Sequence, residues 1–214
     1  MPYFIGITGG SGSWKTLFSS KLKLFLLDTN TNTNTNNKVF ILNMDTFYKG
    51  ISQYNSTQLL NLKQKKLNYD DPELIDIDGL IKFLEKKTSQ LPTYDFSKYD
   101  RTDKTTTVNL NEYDYIIIEG IFALYFDKLL NIYDITIFID ANDNIRKKRR
   151  IQRNIKSRIG PNGFTTVEFE EEYYNKFVID SYKKYIERTK QNADFVINGT
   201  KSFHHNDYDY NQIY

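Results

Sequence analysis

Residues 3–7, Tyr3-Phe4-Ile5-Gly6-Ile7, run through Thr8 into Gly9-Gly10-Ser11-Gly12-Ser13-Trp14-Lys15-Thr16, followed by the apolar-periodic stretch 17–27. The first piece is short and apolar like a buried strand, and the last has apolar residues at helical spacing. The octapeptide between them follows G-x-x-x-x-G-K-[ST], with Trp14 where the second glycine belongs. Strand, glycine-rich loop and helix are the context this motif needs. There the amides of Gly9 to Ser13 and the positive helix end can surround an anion, Lys15 can reach outer phosphates, and the Thr16 hydroxyl can ligate Mg²⁺. The bland alternative is a glycine-rich turn with a surface lysine. Trp14 poses its own choice: either the indole swings away, or its bulk keeps the amides from the phosphates.

Composition narrows the classes. A chain of 214 residues suits one domain, here 1–200 with a tail over 201–214 expected to be disordered. A formal net charge of +2 argues against nucleic acid or an anionic membrane as main partner. Zero cysteines exclude disulfides and thiolate metal sites, no secretory signal is visible, and the longest apolar stretch, 115–126, is interrupted by Glu119. The expectation is a cytoplasmic protein, with self-association into a homo-oligomer left open.

Apolar strand-like runs recur at 4–7, 39–42, 115–118, 135–139 and 195–197, with mostly helical segments between them. That alternation predicts an α/β fold with a parallel sheet flanked by helices. The run 28–37, DTNTNTNTNN, is low-complexity and has nothing to bury, so it reads as a loop. Residues 72–87 predict a helix opened by Pro72, residues 91–110 a β-hairpin insert, and residues 166–190 a long amphipathic helix.

Chemistry-bearing residues fall at the ends of the apolar runs. Glu119 closes one of them, and in open α/β sheets that end faces the ligand crevice, which makes it a candidate partner of Thr16 around Mg²⁺. Its plainer role would be to cap a helix near Ile121. Asp45 follows the run 39–42 and could serve as the base toward an acceptor hydroxyl, or merely as a turn-forming carboxylate. Eight of the thirteen residues from Arg146 to Arg158 are Lys or Arg. Arg146, Arg149, Arg150 and Arg153 share a helical face by spacing, as a lid over transferring phosphates or a basic patch would require.

The pieces IGITGGSGSWKT, MDTFYKG, LNYDDPELID, PTYDFSKYDR, IIIEGIFALY, RRIQRNIKSR and ERTKQNADFVI occur in an order and spacing that resembles the uridine kinases (uridine–cytidine kinases) of the phosphoribulokinase-like P-loop kinases, over residues 3–200. The resemblance implies a P-loop fold with an arginine-rich helical lid, and ATP-dependent phosphorylation of the 5′-hydroxyl of uridine or cytidine. It implies ATP and Mg²⁺ as cofactors and a small nucleoside as partner. By it Asp45 is the base, Lys15, Arg150 and Arg153 act on the transferring phosphoryl group, and Arg158 belongs with the nucleotide. Asp45, Tyr48, Tyr69, Asp70, Tyr94, Phe96, Tyr99 and Arg150 surround the nucleoside, with Asp70 on the ribose hydroxyls; Thr16 and Glu119 hold the metal. The chain departs from that pattern at Trp14, at Tyr99 where a histidine is usual, and at Gly160 where a lid arginine is usual. Nicotinamide riboside phosphorylation, or a catalytically impaired nucleotide-binding paralogue, is the alternative these departures raise.

Overall fold

A computed structural model describes residues 1–28, 37–64, 67–86, 88–96, 98, 100–157, 159–160 and 163–201. Strand β1 (Tyr3–Thr8) feeds helix α1 (Lys15–Asp28), and β2 (Val39–Asn43) is followed by α2 (Ser56–Lys63) and α3 (Ile77–Glu85). A hairpin, β3 (Thr88–Asp95) and β4 (Asp100–Asn109), precedes β5 (Tyr115–Glu119), α4 (Asp127–Leu130) and β6 (Ile135–Asp140). Helix α5 (Asp143–Ser157), the short ladder β7 (Ile159–Gly160) and β8 (Gly163–Phe164), helix α6 (Val167–Tyr173) and β9 (Phe195–Asn198) complete the chain.

The five strands read from the sequence form one parallel sheet in the order β2-β5-β1-β6-β9. The chain departs from central β1 first to one side and then to the other, so the loop after β1 opens at the topological switch point, where such sheets bind ligands. Alternation along the strands splits the core. Ile116 and Ile118 of β5 point into one cluster with Leu42, Met44 and Phe138, while Ile117 points into another with Ile5, Ile7, Ile137 and Ile139. Helix α1 covers the second cluster with Phe18, Leu22 and Leu26, spaced four apart on one stripe.

Two helical expectations are adjusted. Pro72 opens a separate 3₁₀ turn, Pro72–Leu74, and α3 begins only after Asp76, whose carboxylate accepts from the Gly79 amide at 3.0 Å. The backbone between the two turns is extended at Ile75, which bridges Tyr48. The long helix after Thr166 is real, but its α-helical turns give way to π segments at Tyr174–Val178 and Tyr182–Ile186 and to a 3₁₀ end at Glu187–Asn192. The hairpin spans Thr88 to Asn109, starting three residues earlier than the aromatic pattern suggests. The low-complexity run 29–36 and the tail 202–214 lie outside the described residues.

Candidate active site

The sheet's carboxyl edge assembles the first part of the site. Parallel register sets Glu119 level with Ile7 of β1 and Asn43 of β2, so all three strands deliver their next residues to one crevice. After β1 the loop turns through Ser13 N–H donating to the Gly10 carbonyl at 2.9 Å, and α1 begins as Phe18 N–H reaches the Trp14 carbonyl at 2.9 Å. Gly12 has φ +82° and lies against the Arg146 carbonyl, so a Cβ there would meet backbone as well as strain. Lys15 is only 8% exposed and forms no ion pair among the described residues.

Trp14 adopts φ +75°, the sole non-glycine residue with positive φ among the described residues. Its side chain takes the first of the two courses open to it. The indole swings off the loop and stacks under the Arg149 guanidinium, 3.3 Å from the ring centroid. Left-handed backbone costs an L-residue about 1–2 kcal/mol, and a cation–π contact returns about 0.5–2 kcal/mol. The two nearly balance, so the loop keeps its left-handed turn without glycine.

Glu119 meets Thr16 as expected: the hydroxyl donates to Oε1 at 3.0 Å, while the buried Oε2 has no partner among the described residues. Turns rather than a helix follow it, so helix capping is not its role. Burial raises its pKa; Lys15 opposes that rise, Asp45 adds to it, and Thr16 and Arg153 oppose it. A hydroxyl and a carboxylate with a spare oxygen are hard donors that suit a hard divalent cation. Asp45 is the second residue of the 3₁₀ turn Met44–Phe47, and the cap is Asn43, whose Oδ1 accepts from the Asp45 amide at 2.8 Å. The Asp45 carboxylate is thus spared the turn-forming role and makes no hydrogen bond among the described residues.

The aromatic wall gathers as expected. Tyr48 and Tyr94 centroids lie 5.6 Å apart, Tyr94 and Phe96 4.9 Å, and Tyr48 and Phe96 6.1 Å. The Tyr48 hydroxyl donates to the Tyr69 carbonyl at 2.8 Å, and the Tyr69 amide donates to the Tyr173 hydroxyl at 2.8 Å, fixing the Tyr69–Asp70 step. Tyr48 is fully enclosed, and burial, then Asp45 and Asp70, hold its phenol protonated well above the ordinary range. Tyr99 and Arg158 lie outside the described residues.

The four arginines of the α5 face each meet a different neighbour. Arg146 stacks over Tyr182 at 3.6 Å and donates to Asp143 and the Ala141 carbonyl, and Arg149 donates to the carbonyls of Gly199 and Thr200 at 2.6 and 2.9 Å. Arg150 forms a bidentate pair with Asp70, both contacts 3.1 Å, and Arg153 donates to the Asn154 side chain. Burial is the largest influence on Arg150 and opposes its charge, but Asp70 and the neighbouring Tyr173 and Glu170 more than offset it, so its pKa rises. Asp70 and Arg150, both expected beside the nucleoside, are therefore joined to each other.

Residues outside the sequence-derived set complete the wall. Arg101 donates through Nε to the Tyr48 carbonyl at 2.8 Å and through Nη2 to the Phe47 carbonyl and Asp76, tying the hairpin to the Asp45 turn. Tyr54 is buried against Tyr94. Arg101 closes the PTYDFSKYDR segment, a signal the sequence carries; Tyr54 follows no local pattern.

Among the described residues no helix is long and apolar enough to cross a membrane, and no group of three or more His, Cys, Asp or Glu is placed to hold a metal. Comparison with known proteins gives the family. The chain is 34% identical over 200 residues to the uridine kinase of Limosilactobacillus reuteri (strain DSM 20016), covering 92% of this chain and 83% of that one. It is 36% identical to the uridine kinase of Macrococcus caseolyticus over 197 residues, 90% of this chain and 86% of that one. Its fold matches the D-glycerate 3-kinase of Cryptococcus neoformans var. grubii with a TM-score of 0.61 at 17% identity, covering 86% and 79% of the two chains. Residues 4–204 match the Phosphoribulokinase / Uridine kinase family, and the chain belongs to that family, as a P-loop kinase-type α/β enzyme.

Proposed function

We propose that the protein transfers the γ-phosphoryl group of Mg-ATP to the 5′-hydroxyl of uridine or cytidine, giving the nucleoside monophosphate. The observation that carries this reading is the meeting, at the switch point, of buried Lys15, the Thr16–Glu119 contact and the uncommitted Asp45 carboxylate beside an aromatic pocket. A magnesium ion held by Thr16 and Glu119 would neutralise charge on the phosphates. The loop amides and Lys15 bind and orient the donor, while Asp45 accepts the acceptor hydroxyl's proton. Tyr48, Tyr94 and Phe96 supply flat faces for a pyrimidine, and Asp70, held by Arg150, presents fixed oxygens toward ribose hydroxyls. A site of this kind works on free nucleosides in the cytoplasm.

The test is a phosphoryl-transfer assay with purified chain and Mg-ATP across uridine, cytidine and nicotinamide riboside, with the product identified by mass. Uridine and cytidine monophosphate should form and EDTA should stop their formation. Product from nicotinamide riboside alone, or from none of the three, overturns the reading.

A further inference from the structure

The phosphate loop of this chain is clamped from outside. Gly10 lies against the Arg146 side chain, Gly12 against the Arg146 carbonyl and Trp14 against Arg149, so alternate loop residues 10, 12 and 14 all rest on α5. Arg149 also reaches past the loop to the Gly199 and Thr200 carbonyls, and Gly199 in turn packs against the Ser13 carbonyl. The turn is held to the sheet by the Gly199 amide on the Asp140 carbonyl at 2.6 Å, and to the start of α5 by the Asn142 amide on the Thr200 hydroxyl at 3.2 Å. One guanidinium therefore joins three segments that are distant in sequence: the phosphate loop, the arginine-bearing helix and the turn after the last strand. Its planar face takes the indole while its edge takes two carbonyls, a division of labour a lysine ammonium cannot reproduce.

We infer that Trp14 and Arg149 act as one positioning unit: the stacked pair locks the phosphate loop in its left-handed turn and holds α5, with Arg150 and Arg153, in fixed register to the donor phosphates. Trp14 is thus a working replacement for glycine rather than damage to the loop. Glycine reaches the left-handed region by freedom, and Trp14 reaches it by being held from the side. The inference rests on the phosphate-loop reading of residues 9–16.

The full chain, Trp14→Ala, Trp14→Phe, Arg149→Ala and the Trp14→Ala/Arg149→Ala double variant are compared for kcat, KM of ATP, KM of uridine and thermal midpoint. Trp14→Ala and Arg149→Ala should each raise KM for ATP by about five- to tenfold with KM for uridine unchanged within about twofold, and the double variant should be no worse than the worse single one. Trp14→Phe, which keeps a ring under the guanidinium, should recover most of the loss. Trp14 is the only tryptophan, so its emission reports the stack directly. Arg149→Ala should shift that emission to the red as water replaces the guanidinium. Multiplying effects in the double variant, a Trp14→Ala enzyme with the original KM for ATP, or unchanged emission in Arg149→Ala overturns the inference. If Trp14→Ala fails to fold, the emission and kinetics of Arg149→Ala decide alone. ATP added to the unaltered chain must also perturb Trp14 emission: no response at millimolar ATP overturns the phosphate-loop reading itself, whereas a response with uncoupled variants overturns only the clamp.

Discussion

The proposed donor edge and the proposed acceptor pocket are built in opposite ways. The donor edge is one contiguous octapeptide, Gly9 to Thr16, joined by a single distant residue, Glu119. The acceptor pocket draws on Tyr48, the Tyr69–Asp70 step, Tyr94, Phe96, Arg101, Arg150 and Tyr173, which come from five separate parts of the chain. A contiguous motif owes its geometry to local backbone hydrogen bonds. A composite pocket owes it to packing among elements, so damage far from the pocket can misplace it.

That contrast can be broken at several points, beginning with the largest effect. Asp45→Asn keeps the Asn43 cap and the shape of the turn but removes the proton acceptor, so kcat should fall by about 10²–10⁴ with nucleoside binding retained. Steady-state kinetics with uridine check this, and near-normal turnover would remove Asp45 from the mechanism.

On the acceptor side, Asp70→Ala leaves Arg150 buried without its bidentate partner. Breaking one side of a buried pair costs about 3–5 kcal/mol, whereas replacing both partners with apolar residues costs far less. Urea unfolding of Asp70→Ala, Arg150→Met and the double variant should show the double variant recovering much of the loss. Equal or additive losses would mean that the pair is not the pocket's keystone.

Arg101→Ala should loosen the Asp45–Tyr48 turn from the hairpin. Loss of a charge-assisted contact of about 1.5–3 kcal/mol should appear as a tenfold or greater rise in KM for uridine, with KM for ATP little changed. Parallel rises in both constants would show that the two halves are mechanically one.

Glu119 gives a subtler test. Its folded-state pKa is raised above the unfolded value, so its contribution to stability is present in acid and is lost as pH rises through the folded pKa. Glu119→Gln should therefore raise the thermal midpoint at neutral pH in metal-free buffer, flatten its pH dependence above the ordinary carboxylate range, and abolish activity. A lowered midpoint at neutral pH would mean that Lys15 and Thr16 outweigh desolvation. The smallest effect is expected from shortening the run 29–36: halving a flexible connection changes loop-closure free energy by only about 0.6 kcal/mol. Melting curves and kcat should both survive it.

Much of this was legible in the residues themselves. The five apolar runs announce the five strands because burial on both faces of a parallel sheet demands continuous apolar side chains, and Glu119, which ends one run, and Asp45, which follows another, stand out because the carboxyl ends of such strands face the crevice. Helix α3 starts later than the sequence predicts because Pro72 satisfies the opening of either an α or a 3₁₀ turn, and only the Asp76 cap decides where the helix begins. The individual partners of the α5 arginines are not legible, because helical spacing says which side chains are neighbours, not which partners another element will bring to them.

Sequence alone determined the parallel α/β fold, the phosphate loop and the two carboxylates at its edge, since each follows from local periodicity and the polarity of strand ends. Only the tertiary structure decided that Arg150 belongs to Asp70, that Arg101 braces the acceptor turn, and that Trp14 can stand where glycine is expected. Those outcomes depend on what packs against a side chain: an ion pair closed across 80 residues and an indole held under Arg149 are relations between elements, which no local pattern encodes.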